Sequence, residues 1–199
     1  MMITILDYIG TLVFAISGTL MAAQKRFDIF GALTIGFATA IGGGTLRDMM
    51  LGISPVTWIQ SLDYFYIITI GVIITTIFKK YILALRSTLF LFDSIGIGVF
   101  TVIGINKALL FNINPPIAIL MGMITAVAGG VIRDTLCNVV PLIFRKEIYA
   151  TACILGGVIY FLLKVCDLPE IVNNLITMST IISIRILAVK YGISLPKLK

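Results

Sequence analysis

Gly42-Gly43-Gly44-Thr45-Leu46-Arg47-Asp48 returns 86 residues later, from position 42 to position 128, as Ala128-Gly129-Gly130-Val131-Ile132-Arg133-Asp134. The same spacing aligns Asp7 with Asp93, Gly10 with Gly96, Phe14 with Phe100, Gly18 with Gly104, Gly36 with Gly122, Thr39 with Thr125, Pro55 with Pro141 and Gly71 with Gly157. One spacing held without a gap is the mark of duplication. It predicts two copies of a three-helix unit, over about residues 1–80 and 88–166. Three crossings are an odd number, so the second copy enters the membrane from the opposite side. The copies are then related by a pseudo-two-fold axis in the membrane plane, a plan common to permeation pathways, with the site near the midplane between repeats.

The crossings follow from composition. Of 199 residues, 59% are hydrophobic, a further 18 are Gly, and only 12% are charged. Soluble domains carry about 25% charge, so a water-soluble globule is excluded. Apolar segments run over residues 3–23, 29–51, 62–78, 88–106, 116–138, 148–165 and 171–189. The third is short, and Tyr64 and Tyr66 are candidates to anchor it at one interface. The fold class is all-α integral membrane, a single transmembrane domain over 1–199 with seven helices: an inverted three-plus-three repeat and an accessory C-terminal helix at about 171–189. The connections have room only for turns, which leaves any chemistry in or beside the bilayer. Met1 to Asp7 lacks a basic n-region, so the first segment reads as a retained span rather than a signal peptide.

Absences exclude most chemistry. The chain has no His, and Cys137, Cys153 and Cys166 show no CxxC spacing and read as packing residues. No P-loop, GxSxG, HExxH or dinucleotide fingerprint is present. Neither an enzyme nor a resident cofactor or metal is expected.

Lys25, Arg26, Lys79, Lys80, Arg86, Arg145, Lys146, Arg185, Lys190, Lys197 and Lys199 all fall on one side of the predicted topology. The positive-inside rule makes that side cytoplasmic, with the N-terminus outside and the C-terminus inside. The net charge of +6 then belongs to loops beside anionic lipid and calls for no nucleic-acid partner. Lys107 and Asn106 read as an interfacial snorkel at the opposite face.

Gly42, Gly43 and Gly44 lie within helix two, and Gly129 and Gly130 at the matching place in helix five. Glycine costs about 1 kcal/mol relative to Ala in a helix interior, so these helices are expected to bend or open there. Freed carbonyls facing a pathway could replace part of a cation's hydration shell; close helix packing is the other reading. Beyond each cluster stand Arg47-Asp48 and Arg133-Asp134. Charges within a span must face the interior and find partners, yet neighbours on a helix point about 100° apart and pair poorly. The inverted topology therefore pairs Asp7 with Arg47 at one end and Asp93 with Arg133 at the other. Asp48 and Asp134 are left for cation contact or a second bond to Arg. All six could equally form a helix clamp. Thr11, Ser17, Thr19, Thr39, Thr45, Thr101 and Thr125 are candidates to line a pore, although such hydroxyls more often bond their own helix.

The seven spans, the inverted repeat, and the paired GGGxxRD and xGGxxRD motifs resemble the prokaryotic branch of the trimeric intracellular cation (TRIC) channel family, over essentially the whole chain. The resemblance implies a homotrimer in a prokaryotic plasma membrane, each subunit with its own pore for K⁺ and Na⁺. It implies kinks at Gly42, Gly43, Gly44, Gly129 and Gly130, with membrane lipids as the surrounding partners. Ala128 stands where the second glycine cluster departs from the first. Animal members are similar but carry a basic lipid-binding motif that finds no counterpart here. A secondary transporter of a small solute such as glycine has the same kind of repeat, and a membrane scaffold is a third reading.

Overall fold

The computed structural model describes residues 2–84, 88–145 and 148–194, without the side chains of residues 2 and 80–84. Arg86, Lys146, Lys197, Lys199 and the Lys80 side chain, which entered the orientation argument, lie outside the described residues. Seven α-helices are present among those described: α1 (Met2–Gln24), α2 (Ile29–Met50), α3 (Asp63–Ala84), α4 (Thr88–Leu110), α5 (Pro115–Leu136), α6 (Ala150–Val165) and α7 (Glu170–Tyr191). Short 3₁₀ turns at Thr57–Gln60 and Leu142–Phe144 follow α2 and α5. Helices α1, α2, α4, α5 and α7 are long and apolar enough to cross a bilayer, and the chain is an integral membrane protein. The third helix runs to Ala84, longer than its apolar segment suggested, because Lys79 and Lys80 continue the helix instead of ending it.

Local chemistry sets the helix ends. Asp28 starts α2 by accepting a hydrogen bond from the Gly31 N–H at 2.7 Å. Pro115 and Pro116 occupy the first turn of α5, where a missing N–H costs nothing. Helices α2 and α5 end alike. Ile53 N–H reaches the Asp48 carbonyl at 2.9 Å and Val139 N–H reaches that of Asp134 at 2.8 Å. The residue in between, Gly52 or Asn138, turns left-handed at φ 72° or 52°. These are paired Schellman stops, and they fix each Arg-Asp pair in the last turn of its helix.

Helix α4 runs through the centre and packs on α5, α1 and α7, while α1 lies on α2 and α3, and α2 crosses α5. The α1–α4 contact is built by matched residues. Phe14 and Phe100 stack with centroids 5.0 Å apart, each ring against a glycine of the other helix, Phe100 on Gly10 and Phe14 on Gly96. A methyl on Gly96 would lie inside the Phe14 ring. Helix α7 is held by amides: Asn106 Nδ2 donates to Asn174 Oδ1 at 3.0 Å, Tyr160 Oη to Asn106 Oδ1 at 2.8 Å, and Asn173 Nδ2 to the Tyr160 carbonyl at 3.0 Å. Asn106 is thus a buried staple of α4, α6 and α7, not an interfacial snorkel.

Candidate functional site

The charged residues within the spans gather into two clusters at opposite ends of the bundle. The first joins the start of α1 and α3 to the ends of α2 and α4. Arg47 grips Asp48 Oδ1 with Nε at 2.9 Å and Nη2 at 2.8 Å. The other carboxylate oxygen accepts the Thr57 N–H at 2.8 Å. Lys107 Nζ donates to Thr57 Oγ1 at 2.7 Å and stands 3.5 Å from Asp48 Oδ1. Asp7 Oδ2 accepts from the Tyr64 hydroxyl at 2.8 Å. Between Asp7, Thr11, Gly44, Arg47, Tyr64 and Trp58 lies a cavity of about 20 Å³, room for about one water. Trp58 lids it, with Nε1 donating to Thr45 Oγ1 at 3.0 Å and its ring edge-on to Phe37 at 5.4 Å.

The second cluster joins α4 and α5 to α1. Arg133, fully buried, donates through Nη1 to Asp93 Oδ1 at 2.7 Å and to Ser17 Oγ at 2.6 Å, and through Nε to Asp134 Oδ1 at 2.8 Å. Asp134 Oδ2 accepts the Leu142 N–H at 3.1 Å. Gly130 leaves space beside this group: a methyl there would stand 2.7 Å from the Tyr149 hydroxyl, 3.6 Å from Asp93 Oδ1 and 3.7 Å from Arg133 Nη2. Behind Tyr149, the Arg185 guanidinium lies 4.8 Å from that ring's centroid and 5.0 Å from that of Phe90, and Nη1 donates to the Ile148 carbonyl at 2.9 Å.

Between the clusters α2 crosses α5 at glycine. The Gly43 backbone sits on the Thr125 carbonyl, and the Gly129 backbone on the Thr39 carbonyl, so close that no Cβ fits at either position. The two contacts are reciprocal: Gly43 and Gly129 are equivalent positions 86 apart, and so are Thr39 and Thr125.

Several sequence expectations need correction. Asp93 does meet Arg133, but Asp7 and Arg47 make no ion pair among the described residues: Tyr64 holds Asp7, and Arg47 turns to Asp48. The adjacent Arg-Asp pairs do bond, because a long guanidinium stem reaches around the roughly 100° step when burial leaves no water as the alternative. Helices α2 and α5 run unbroken through their glycines, and Gly43 and Gly129 serve the close crossing. Lys107 belongs to the first cluster, not to the lipid interface. Arg185, counted with the basic tail, is buried. Thr19, Thr39, Thr45, Thr101 and Thr125 each donate to the carbonyl four residues back in their own helix.

Comparison with known proteins accounts for this architecture. The sequence profile of the family described as glycine transporter matches residues 4–80 and again 90–165. The UPF0126 inner membrane protein YadS of Escherichia coli (strain K12) is 39% identical over 201 residues, covering 98% of this chain and 96% of its own. A structure reported as the structural basis for conductance through TRIC cation channels superposes with a TM-score of 0.87 at 36% identity, over 98% of this chain and 97% of that one. The TRIC trimeric intracellular cation channel orthologue from Rhodobacter sphaeroides superposes at 0.91 with 32% identity, over 96% and 99%. The chain belongs to the TRIC channel family. Its relatives are membrane proteins and channels, not enzymes. Sequence reading of this TRIC-family chain gave Tyr64 only an interfacial role and passed over Tyr149, because the two are spaced 85 residues apart, one short of the repeat. It named Ser17 only as a pore hydroxyl and Lys107 only as an interfacial snorkel, since their matching residues, Ile103 and Met21, carry no polar partner to tie either one to a charged cluster.

Proposed function

We propose that this chain is a monovalent cation channel for K⁺ and Na⁺, with a pore inside each subunit between two inverted repeats. The observation that carries this reading is the full-length likeness to cation-channel structures at 36% and 32% identity. The reciprocal contacts Gly43 on Thr125, Gly129 on Thr39, Gly10 on Phe100 and Gly96 on Phe14 support an inverted repeat with its axis between α2 and α5. Asp7 and Asp48 at one end, and Asp93 and Asp134 at the other, supply negative charge for cations, with Arg47 and Arg133 latching the closed state. Opening requires α2 and α5 to part at their crossing, and a bend at Gly42, Gly43, Gly44, Gly129 and Gly130 is the device for it. The working unit is a homotrimer in a prokaryotic plasma membrane, surrounded by lipid, with the N-terminus outside and the C-terminus cytoplasmic, and α7 stands as the accessory helix outside the repeat. No cofactor takes part, although permeant K⁺ or Na⁺ occupies the open pore.

A carrier for a small solute such as glycine is the second reading, favoured by the description of the family profile that matches both halves. Purified protein in liposomes separates the two. The channel reading expects rapid K⁺ efflux that does not depend on added glycine. Saturable glycine uptake without K⁺ flux would overturn it.

A further inference from the structure

The two charged clusters are built from matched residues, but one cation breaks the match. Each set of aligned positions supplies two carboxylates and one arginine: Asp7, Asp48 and Arg47, or Asp93, Asp134 and Arg133. Lys107 adds a second positive charge in direct contact with the first set, and position 21, 86 residues earlier, holds buried Met21. Lys107 reaches the cluster from the last turns of α4 and keeps 17% of its side chain exposed, so its ammonium stands at the mouth, not deep in the bundle. Its bond to Thr57 Oγ1 at 2.7 Å fixes it there. At the opposite end Arg185 is fully buried and faces the rings of Phe90 and Tyr149 and the Ile148 carbonyl. The ends therefore differ in the charge that an arriving cation meets first.

We infer that Lys107 is an electrostatic barrier at one mouth of the pathway and makes the cation current rectify. This rests on the channel reading. A fixed charge in a narrow, low-dielectric mouth changes the local concentration of small ions by about tenfold or more. With Lys107 the first set carries no net charge, whereas Asp93 and Asp134 with Arg133 keep one net negative charge, so cations are concentrated less at the Lys107 end than at the other. The effect belongs to charge at the mouth, so it weakens as salt screens it, with a Debye length of about 10 Å at 0.1 M and about 3 Å at 1 M.

The test records single channels of the full-length protein in planar bilayers with equal KCl on both sides, comparing current at equal and opposite voltages. Wild type is expected to pass at least about twofold less current in one direction at 0.1 M, with the asymmetry shrinking at 1 M. Lys107→Met, which installs the residue found at position 21, should raise the smaller limb and leave the larger one. Lys107→Arg keeps the charge and should keep the asymmetry. Rectification that survives Lys107→Met, or that disappears equally in Lys107→Arg, would overturn the inference while leaving the channel reading intact. Absence of unitary currents in the wild type would instead remove the channel reading on which it rests.

Discussion

Arg133 is held from three sides, with Asp93, Ser17 and Asp134 all within 2.8 Å. Removing one partner of a buried, hydrogen-bonded pair leaves an uncompensated charge and costs about 3–5 kcal/mol. Arg133→Met is thus expected to lower the thermal stability of the detergent-solubilised protein sharply. Arg47→Met should cost less, since among the described residues Arg47 bonds Asp48 alone, and Asp48 keeps the Thr57 N–H and Lys107 as partners. Equal losses measured by thermal unfolding would contradict the two-cluster description. The sequence singled out all six charges, yet it paired Asp7 with Arg47. That error has a physical source. A tyrosine hydroxyl satisfies Asp7, and neither its identity nor its reach is written in a spacing pattern.

At the scale of helices, the glycines divide into those the packing requires and those it does not. Gly43 and Gly129 lie against carbonyls of the opposite helix, whereas a methyl at Gly44 would meet only Arg47 Nη2, at an ordinary 3.6 Å. Gly43→Ala and Gly129→Ala should each force α2 and α5 apart, at about 1–3 kcal/mol or more. Because they act at one crossing, their combined effect should depart from the sum. Gly44→Ala should be tolerated, and even stabilising by up to about 1 kcal/mol from helix propensity. Unfolding of the three variants side by side checks this, and a Gly44→Ala loss as large as that of Gly43→Ala would sink the assignment. The duplicated glycines were legible in the sequence as special positions. A glycine run looks the same in one dimension whether it opens a helix or admits a neighbour, so their role was not. The amide staple of Asn106, Asn173 and Asn174 makes a parallel case: Asn106→Ala leaves buried partners unsatisfied and should cost about 1–3 kcal/mol, read as earlier melting.

For the whole molecule, seven helices and the family were legible because hydropathy and an 86-residue repeat are global signals, carried by many positions at once. The roles of the non-repeated contributors were not, since Lys107, Ser17 and Arg185 lie outside the matched positions. The assembly proposed here predicts a protein mass of three times 21.7 kDa once bound detergent is subtracted, which light scattering can measure. A persistent monomer would contradict the trimer without touching the fold. The central claim, a continuous cation path through each subunit, is met most directly by recording purified protein in a planar bilayer under a KCl gradient. The account predicts discrete unitary steps whose reversal potential lies near that of K⁺. A silent bilayer, with the same preparation accumulating solute in liposomes, would contradict it.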